Sequence, residues 1–364
     1  MQHDHLPTIQ IGHFLAMCDD TGLFQHAVHV VPDRSHGYCV DDNARALIVT
    51  CTLDGSFDEP TLQALNARFA SFIQHAWNPD RSRFRNFMSF DRRWLEDIGS
   101  EDSHGRTLWA LGVCAARDVN VSRREWAGVL FERALGVVEH FKSPRAWAFA
   151  LLGLEAITAV GRPRRDLRQM QRLLAEKLQA IFLAVETDDW PWFEEGLSYD
   201  NARLCQAMIA TGLALDDETL IVVGLRSLRW LARLQMSASG QFRPVGSESF
   251  GDQRQVPKPF DQQPLEALAM ISACGVALKV DAGGGWDIEA MRAFNWFMGE
   301  NDLGLPLVNV EDGSCCDGLH PERRNENCGG ESVVSYLLAL FEIRQFALRD
   351  KVQARHVRSP AHAV

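Results

Sequence analysis

The chain lacks any run of about twenty apolar residues, so no segment reads as a membrane-spanning helix. Its N-terminus, MQHDHLPTIQIGHFLAMC, has neither a basic start nor an uninterrupted apolar core, which argues against a secretory signal. There is no surplus of basic charge either: the formal net charge is −11. Nucleic acid and anionic membrane surfaces are met by Lys and Arg, so both are excluded as partners, and a neutral or locally recognised ligand fits better. Low-complexity segments are absent, and with 46% hydrophobic and 23% charged residues over 364 positions the chain is globular. A soluble, cytoplasmic protein is expected.

Cofactor signatures are missing as well. GGGW at Gly283 to Trp286 precedes a helix but follows no strand, so it is no phosphate loop. Cys315, Cys316, Cys328 and His320 lie close in sequence, but adjacent cysteines without C-x-x-C are not a zinc pattern. Neither metal nor cofactor is expected. The nine cysteines are an odd number, and Cys51, Cys114, Cys205 and Cys274 sit on apolar helical faces, which suits reduced thiols.

Strand signals are few and short, whereas apolar residues recur at spacings of three and four almost throughout. The pattern predicts an all-α protein with two kinds of helix. Thr61 to Trp77, Arg123 to Phe141, Arg164 to Val185, Glu218 to Met236 and Asp287 to Gly299 carry a charged face and read as outer helices; Pro7 to Cys18 can supply a sixth. Asp42 to Thr52, His104 to Ala116, Arg145 to Val160, Asp200 to Leu215, Gln262 to Val276 and Glu331 to Phe346 are apolar or small nearly all round and read as inner helices. The two kinds alternate. Six hairpins of this sort make an (α/α)6 barrel, a single domain over 1–350 followed by a flexible tail over 351–364. An open solenoid is the competing architecture, but the hairpins are too uneven in length for a fixed repeat.

Each inner helix is preceded by a polar word: VDDNAR, SEDSHGR, SPRAW, SYDNAR, FDQQPLE and CGGESV. If the inner helices run parallel, these words share one end of the ring, where free N–H groups and helix dipoles face a pocket roofed by the long connecting segments. Asp-Asn-Ala-Arg occurs twice, on the first and fourth inner helices, which stand opposite each other in a ring of six. Asp42 and Asp200 would then face across the pocket, each with an arginine, Arg45 or Arg203, three residues on. Paired carboxylates are what glycosidic-bond cleavage requires. Capping is the plainer explanation of either aspartate alone.

The segment ETDDWPWFEEGLSYDNAR adds Trp190 and Trp192 as candidate sugar platforms, with Glu194 and Glu195 beside Tyr199, Asp200 and Asn201. Glu194 or Asp102 would be the acid and Asp42 the base. Further candidates for substrate contact are His36, Asp41, Asn43, Glu101, His104, Arg106, Asp261, Gln262, Gln263, Asp317, His320, Asn327 and Glu331. Asp261 also suits a helix cap. Two other functions fit the same barrel: a sugar epimerase or isomerase with His36, His104 or His320 as proton-transfer bases, and a non-catalytic glycan-binding subunit.

Taken in order, HGYCVDDNARAL, SEDSHGRTLWALG, WPWFEEGLSYDNARL, FDQQPLEA and CCDGLHPERRNENCGGESVVSYLLAL resemble a family of bacterial (α/α)6-barrel proteins found alone or fused behind family-4 glycosyltransferases, whose genes accompany family-130 mannoside phosphorylases. The similarity runs from His36 to Phe346. It implies the barrel, a mannose-related oligosaccharide substrate, and a partnership with a glycosyltransferase or a mannoside phosphorylase. Transferase activity does not carry over, because the chain has no pair of α/β domains.

Overall fold

The computed structural model describes residues 6–160 and 164–358. Twelve α-helices are described, and six of them are the inner ring: α2 (Val40–Thr52), α4 (Glu101–Arg117), α6 (Pro144–Thr158), α8 (Ala202–Leu215), α10 (Pro264–Ala277) and α12 (Gly330–Arg358). Each inner helix packs on the next, and α12 returns to α2, which closes the ring. The outer helices α1 (Gly12–Ala16), α3 (Glu59–Ala76), α5 (Val121–Leu135), α7 (Arg165–Val185), α9 (Glu218–Leu234) and α11 (Trp286–Phe297) pack against α12, α2, α4, α6, α8 and α10 in turn. The (α/α)6 expectation therefore holds over both rings.

Two features differ from expectation. The sixth outer helix is a single turn of five residues. The last inner helix runs on to Arg358, through eight residues of the expected tail; 359–364 lie outside the described residues. Small strands also appear. β1 (Phe24–Val28) and β2 (Val31–Cys39) form a hairpin, and the two residues of β3 (Phe87–Met88) extend it, in the order β1-β2-β3. The first six residues of β2 are exposed or half-exposed, so no apolar alternation marked it in the sequence.

The inner helices approach closely because small residues line their seams. Between α4 and α6, a Cβ on Gly153 would lie 2.6 Å from the Leu108 carbonyl oxygen, and one on Gly112 would meet the Gly153 backbone. All nine cysteines are unpaired, eight of them buried. Among the described residues, no helix is long and apolar enough to cross a membrane.

The α4–α6 seam is directly testable. Alanine favours a helix over glycine by about 1 kcal/mol, yet overpacking here outweighs that gain. Gly153→Ala is expected to destabilise the fold by about 1–3 kcal/mol in urea unfolding, whereas half-buried Gly128, which has open space around its Cα, should gain stability as alanine.

Candidate functional site

Neither repeated aspartate caps its helix. Cys39 is the N-cap of α2, its Sγ accepting the Asp42 amide at 3.3 Å, and α8 starts after Asn201 without a side-chain cap. Asp200 itself has left-handed backbone, φ 53°. Ser100 caps α4, and Gln263, not Asp261, is the cap position of α10. The capping explanation fails for these acids, so their side chains are free for the barrel axis.

There they meet guanidinium groups from the first two turns of neighbouring inner helices. Arg45 Nη1 reaches Asp42 at 2.9 Å, Asp41 at 3.0 Å and Glu331 at 2.8 Å. Arg106 bridges two carboxylates, donating from Nη1 to Asp41 and from Nη2 to Asp200 at 2.8 Å. Arg203 Nε donates to Asp200 at 3.2 Å. Asp42 and Asp200 thus do not look at each other across open space; Arg45, Arg106 and Arg203 link them with Asp41 into one buried ionic layer. The layer rests on a stacked aromatic pair, Trp109 and Phe149, with Arg106 4.2 Å from the Phe149 ring centre and Arg203 4.8 Å from that of Trp109.

A second arm runs from α4 and α6 to α8. Tyr199 and Ser143 both donate their hydroxyls to Asp102, while Glu101 accepts the amides of Lys142 and Ser143, each at 2.8 Å. Arg145 donates to Glu194 at 2.7 Å, to Asn201 at 3.2 Å and to the Tyr199 carbonyl. Glu266 accepts the Asp200 amide and Asn201 Nδ2, the latter at 3.1 Å. Arg145, Ser143 and Glu266 were not among the candidate site residues, although each sits in one of the polar words.

Burial and charge set the protonation states. Burial pushes the Asp42 carboxyl up to about 7, with Glu331 and Asp41 adding to the shift against the pull of Arg45. Burial acts on Asp41 too, but Arg106 and Arg45 outweigh it and hold that carboxyl below its usual range. Glu266 rises to about 7 by burial and the Asp200 charge. Adjacent acids on one helical turn are therefore shifted in opposite directions. The Asp41, Asp42 and Glu331 carboxylates converge within 4.8 Å, and their side chains keep 21%, 9% and 39% of their exposure. This corner, between α2 and α12, is where the layer opens to solvent.

Several expected contacts are corrected. Trp190 and Trp192 are buried in a cluster with Phe193 and Trp230, so they close the core and offer no sugar platform. His104 is fully buried, its Nε2 2.9 Å from the Ala134 carbonyl, and burial pushes its pKa down to about 3; it faces away from the pocket as a structural residue. Asn43 binds backbone groups of Leu23 and Cys39, and Gln262 binds Pro259, Asp302 and Trp296. Both are held as backbone and loop anchors.

The remaining candidates lie at the rim. Asp317 accepts the Gly329 amide and the Ser332 hydroxyl, each at 2.7 Å, and so fastens the start of α12. Asn327 accepts the His29 amide at 3.0 Å, and Glu195 pairs with exposed Arg254 at 2.6 Å. His36 is exposed on β2, 3.6 Å from Asp33. His320 pairs with Asp261 at 3.4 Å. The Gln263 side chain is half-buried and meets no partner among the described residues.

Known structures share this arrangement of helices. Cellobiose 2-epimerase from Spirochaeta thermophila superposes with a TM-score of 0.71 at 12% identity, covering 95% of each chain. A D-mannose isomerase gives 0.68 at 10% identity, over 92% of this chain and 95% of that one. An inactive two-aspartate variant of a GH76A α-1,6-mannanase from Salegentibacter sp., in complex with α-1,6-mannotetrose, gives 0.61 at 9% identity, over 92% and 96%. The fold is theirs. At these identities the likeness establishes the fold and leaves the reaction open. No protein-family model matches the chain, and no curated protein matches it.

Two consequences of the ionic layer can be measured. Arg106→Met keeps the volume but leaves Asp41 and Asp200 without their shared cation, so a loss of about 3–5 kcal/mol is expected in denaturant unfolding; an unchanged midpoint would show the bridge to be energetically idle. The second concerns pH. Asp42 and Glu266 have folded-state pKa values near 7, above their ordinary 3.8 and 4.5, so the native state binds more protons than the unfolded chain between those limits. Stability contributed by these groups is full below about pH 4 and is lost as the pH rises to about 7. Melting temperatures across that window should show a decline that Asp42→Asn reduces.

Proposed function

We propose that the protein is a carbohydrate-active enzyme that cleaves a glycosidic bond at the α2–α12 corner of the barrel, with Asp42 as proton donor and Glu331 as the carboxylate nucleophile, a division of roles that suits carboxylates this close together. The observation that carries this reading is the pairing of a carboxyl held protonated to about pH 7 with converging carboxylates at a part-exposed corner of the buried layer. Asp42 gives its proton to the leaving glycosidic oxygen as the C–O bond breaks. Glu331 adds to the anomeric carbon as that bond breaks; water then displaces Glu331 from the glycosyl ester and gives its proton to the Asp42 carboxylate. Asp41, kept ionised by Arg106 and Arg45, stabilises the positive charge that develops on the sugar ring. Compared with the expectation from sequence, Asp42 changes from base to acid, and Glu194 and Asp102 become binding groups, since Arg145, Tyr199 and Ser143 already engage them.

The substrate class is a short oligosaccharide containing mannose, in keeping with the resemblance of the sequence motifs and with the mannotetrose held by the GH76A relative in fold. A glycosyltransferase or mannoside phosphorylase is the partner activity we assign on the same resemblance, within one domain spanning 1–350.

A second reading is favoured by one observation. His320 and Asp261 form a half-exposed pair at the same end of the ring, and a histidine oriented by a carboxylate is equipped to move a proton at a sugar carbon. Epimerases and isomerases are among the structures of this fold.

The experiment incubates purified protein with short mannosides and follows both reducing-end release and deuterium uptake at C2 in heavy water. Cleavage predicts new reducing ends, a kcat/KM that falls as the pH rises through about 7 while Asp42 loses its proton, and a loss of about 100-fold or more in Asp42→Asn. Deuterium uptake without new ends, abolished in His320→Asn, would replace this reading with the second.

A further inference from the structure

Beneath the ionic layer, at the C-terminal ends of the inner helices, the ring holds a cavity of about 730 Å³ that none of Asp41, Asp42 and Glu331 lines. Its volume falls within the range of small-molecule sites, and Trp109, Leu152, Leu338 and Phe341 give it apolar walls. Its inner end is polar. Arg203 and Gln206 come down from the layer, and Gln171 reaches in from α7.

These groups leave donors unused. Arg203 gives Nε to Asp200 and Nη1 to Gln206 at 2.7 Å, but its Nη2 meets no acceptor among the described residues. Gln171 is 1% exposed, and its Nε2 has no acceptor. A buried donor without an acceptor costs about 1–3 kcal/mol, so both favour a ligand that accepts. Charge points the same way. Arg45, Arg106 and Arg145 are held firmly charged by their carboxylates, whereas burial outweighs the carboxylates around Arg203 and lowers its pKa. Arg203 is the axial guanidinium short of negative charge. The rim adds Arg117, Arg168 and Lys279 against Glu155. The other acid in the cavity, Glu342, accepts the Ser272 hydroxyl at 2.8 Å, and burial raises its pKa against the pull of Arg203.

We propose that this cavity is a second ligand site, separate from the carboxylate corner, and that it binds a small organic carboxylate with an apolar body. The carboxylate accepts from Arg203 Nη2 and Gln171 Nε2; the body packs on Trp109, Leu152, Leu338 and Phe341. A charge-assisted hydrogen bond within apolar walls gives the site its preference for an acid over a neutral molecule of the same shape.

The test titrates the full chain with 4-phenylbutyrate, its neutral alcohol 4-phenylbutanol, and inorganic phosphate, using calorimetry and tryptophan fluorescence. Saturable one-to-one binding of the acid is expected, about tenfold or more tighter than the alcohol, with no displacement by phosphate. Gln171→Leu, which removes the amide at similar volume, should weaken the acid about tenfold while leaving the alcohol unchanged. Ala156→Trp fills the cavity and should abolish binding of both with the melting temperature retained; Ala156 lines the wall and is half-buried. Absence of saturable binding at millimolar acid, equal affinity for the alcohol, displacement by phosphate, or acid binding untouched by Gln171→Leu would each overturn the proposal. None of these readouts involves glycoside turnover, so the outcome is independent of the function assigned to the other end.

Discussion

The constraint on which the rest depends is the matching of buried guanidinium groups by carboxylates at the barrel axis. Arg45, Arg106, Arg145 and Arg203 project inward from four successive inner helices, where an unpaired ion would cost several kcal/mol. Asp41, Asp42, Asp200, Glu194 and Glu331 reach these guanidinium groups, and Asp102 and Glu266 are held beside them by Tyr199, Ser143 and Asn201, seven acids around four bases. Not all of them can be ionised in so dry a place. The surplus is settled by protons, and Asp42 and Glu266, the acids with the least compensation, keep them to about pH 7. Proton-donating capacity is thus a result of stoichiometry, and it does not require a special residue type.

The ring makes this layer possible. Parallel inner helices put six N-terminal ends on one side, and small residues on their seams let the axis contract until side chains from α2, α4, α8 and α12 touch. Aromatic rings under the guanidinium groups then close the layer from below without competing for its hydrogen bonds. A wider ring would admit water and return every acid to its ordinary range. Packing between α4 and α6 and protonation at α2 are therefore parts of one argument.

Much of the architecture was legible because helices that are apolar on all sides can only be inside another shell of helices. That rule placed both rings and their order. It could not place the exposed strand β2, which is held by hairpin pairing and not by an apolar face. Within the site, the sequence singled out the right words but not the right letters. Asp42 and Asn43 are neighbours on one turn, yet Asp42 faces the axis and Asn43 is spent on the backbone of Leu23 and Cys39, because helix phase is fixed by the ring. Trp190 and Trp192 misled for a related reason: a loop aromatic can stack on a ligand or plug a core, and only the position of Trp230 on α9 decides. Arg145 and Glu266 went unmarked since SPRAW and FDQQPLE carry no acid–arginine pair of their own; their partners come from α8 and the segment before it.

The repeat of Asp-Asn-Ala-Arg has a geometric explanation. In both copies the asparagine pins the entering chain, and the aspartate holds the arginine three residues on, at 2.9 Å in α2 and 3.2 Å in α8. The backbone differs, helical at Asp42 and left-handed at Asp200, yet the same aspartate–arginine pairing forms in both. The residue before the repeat breaks the symmetry. Asp41 adds a third acid to the α2 side, where Glu331 also arrives, whereas Tyr199 puts a hydroxyl on the α8 side and ties up Asp102. Charge accumulates at one edge of a nearly symmetric layer, and there it adds to the burial that lifts Asp42, while Asp200 is shared between Arg106 and Arg203. The duplicated word supplies the frame, and the single letter ahead of it decides which groups gather around each copy.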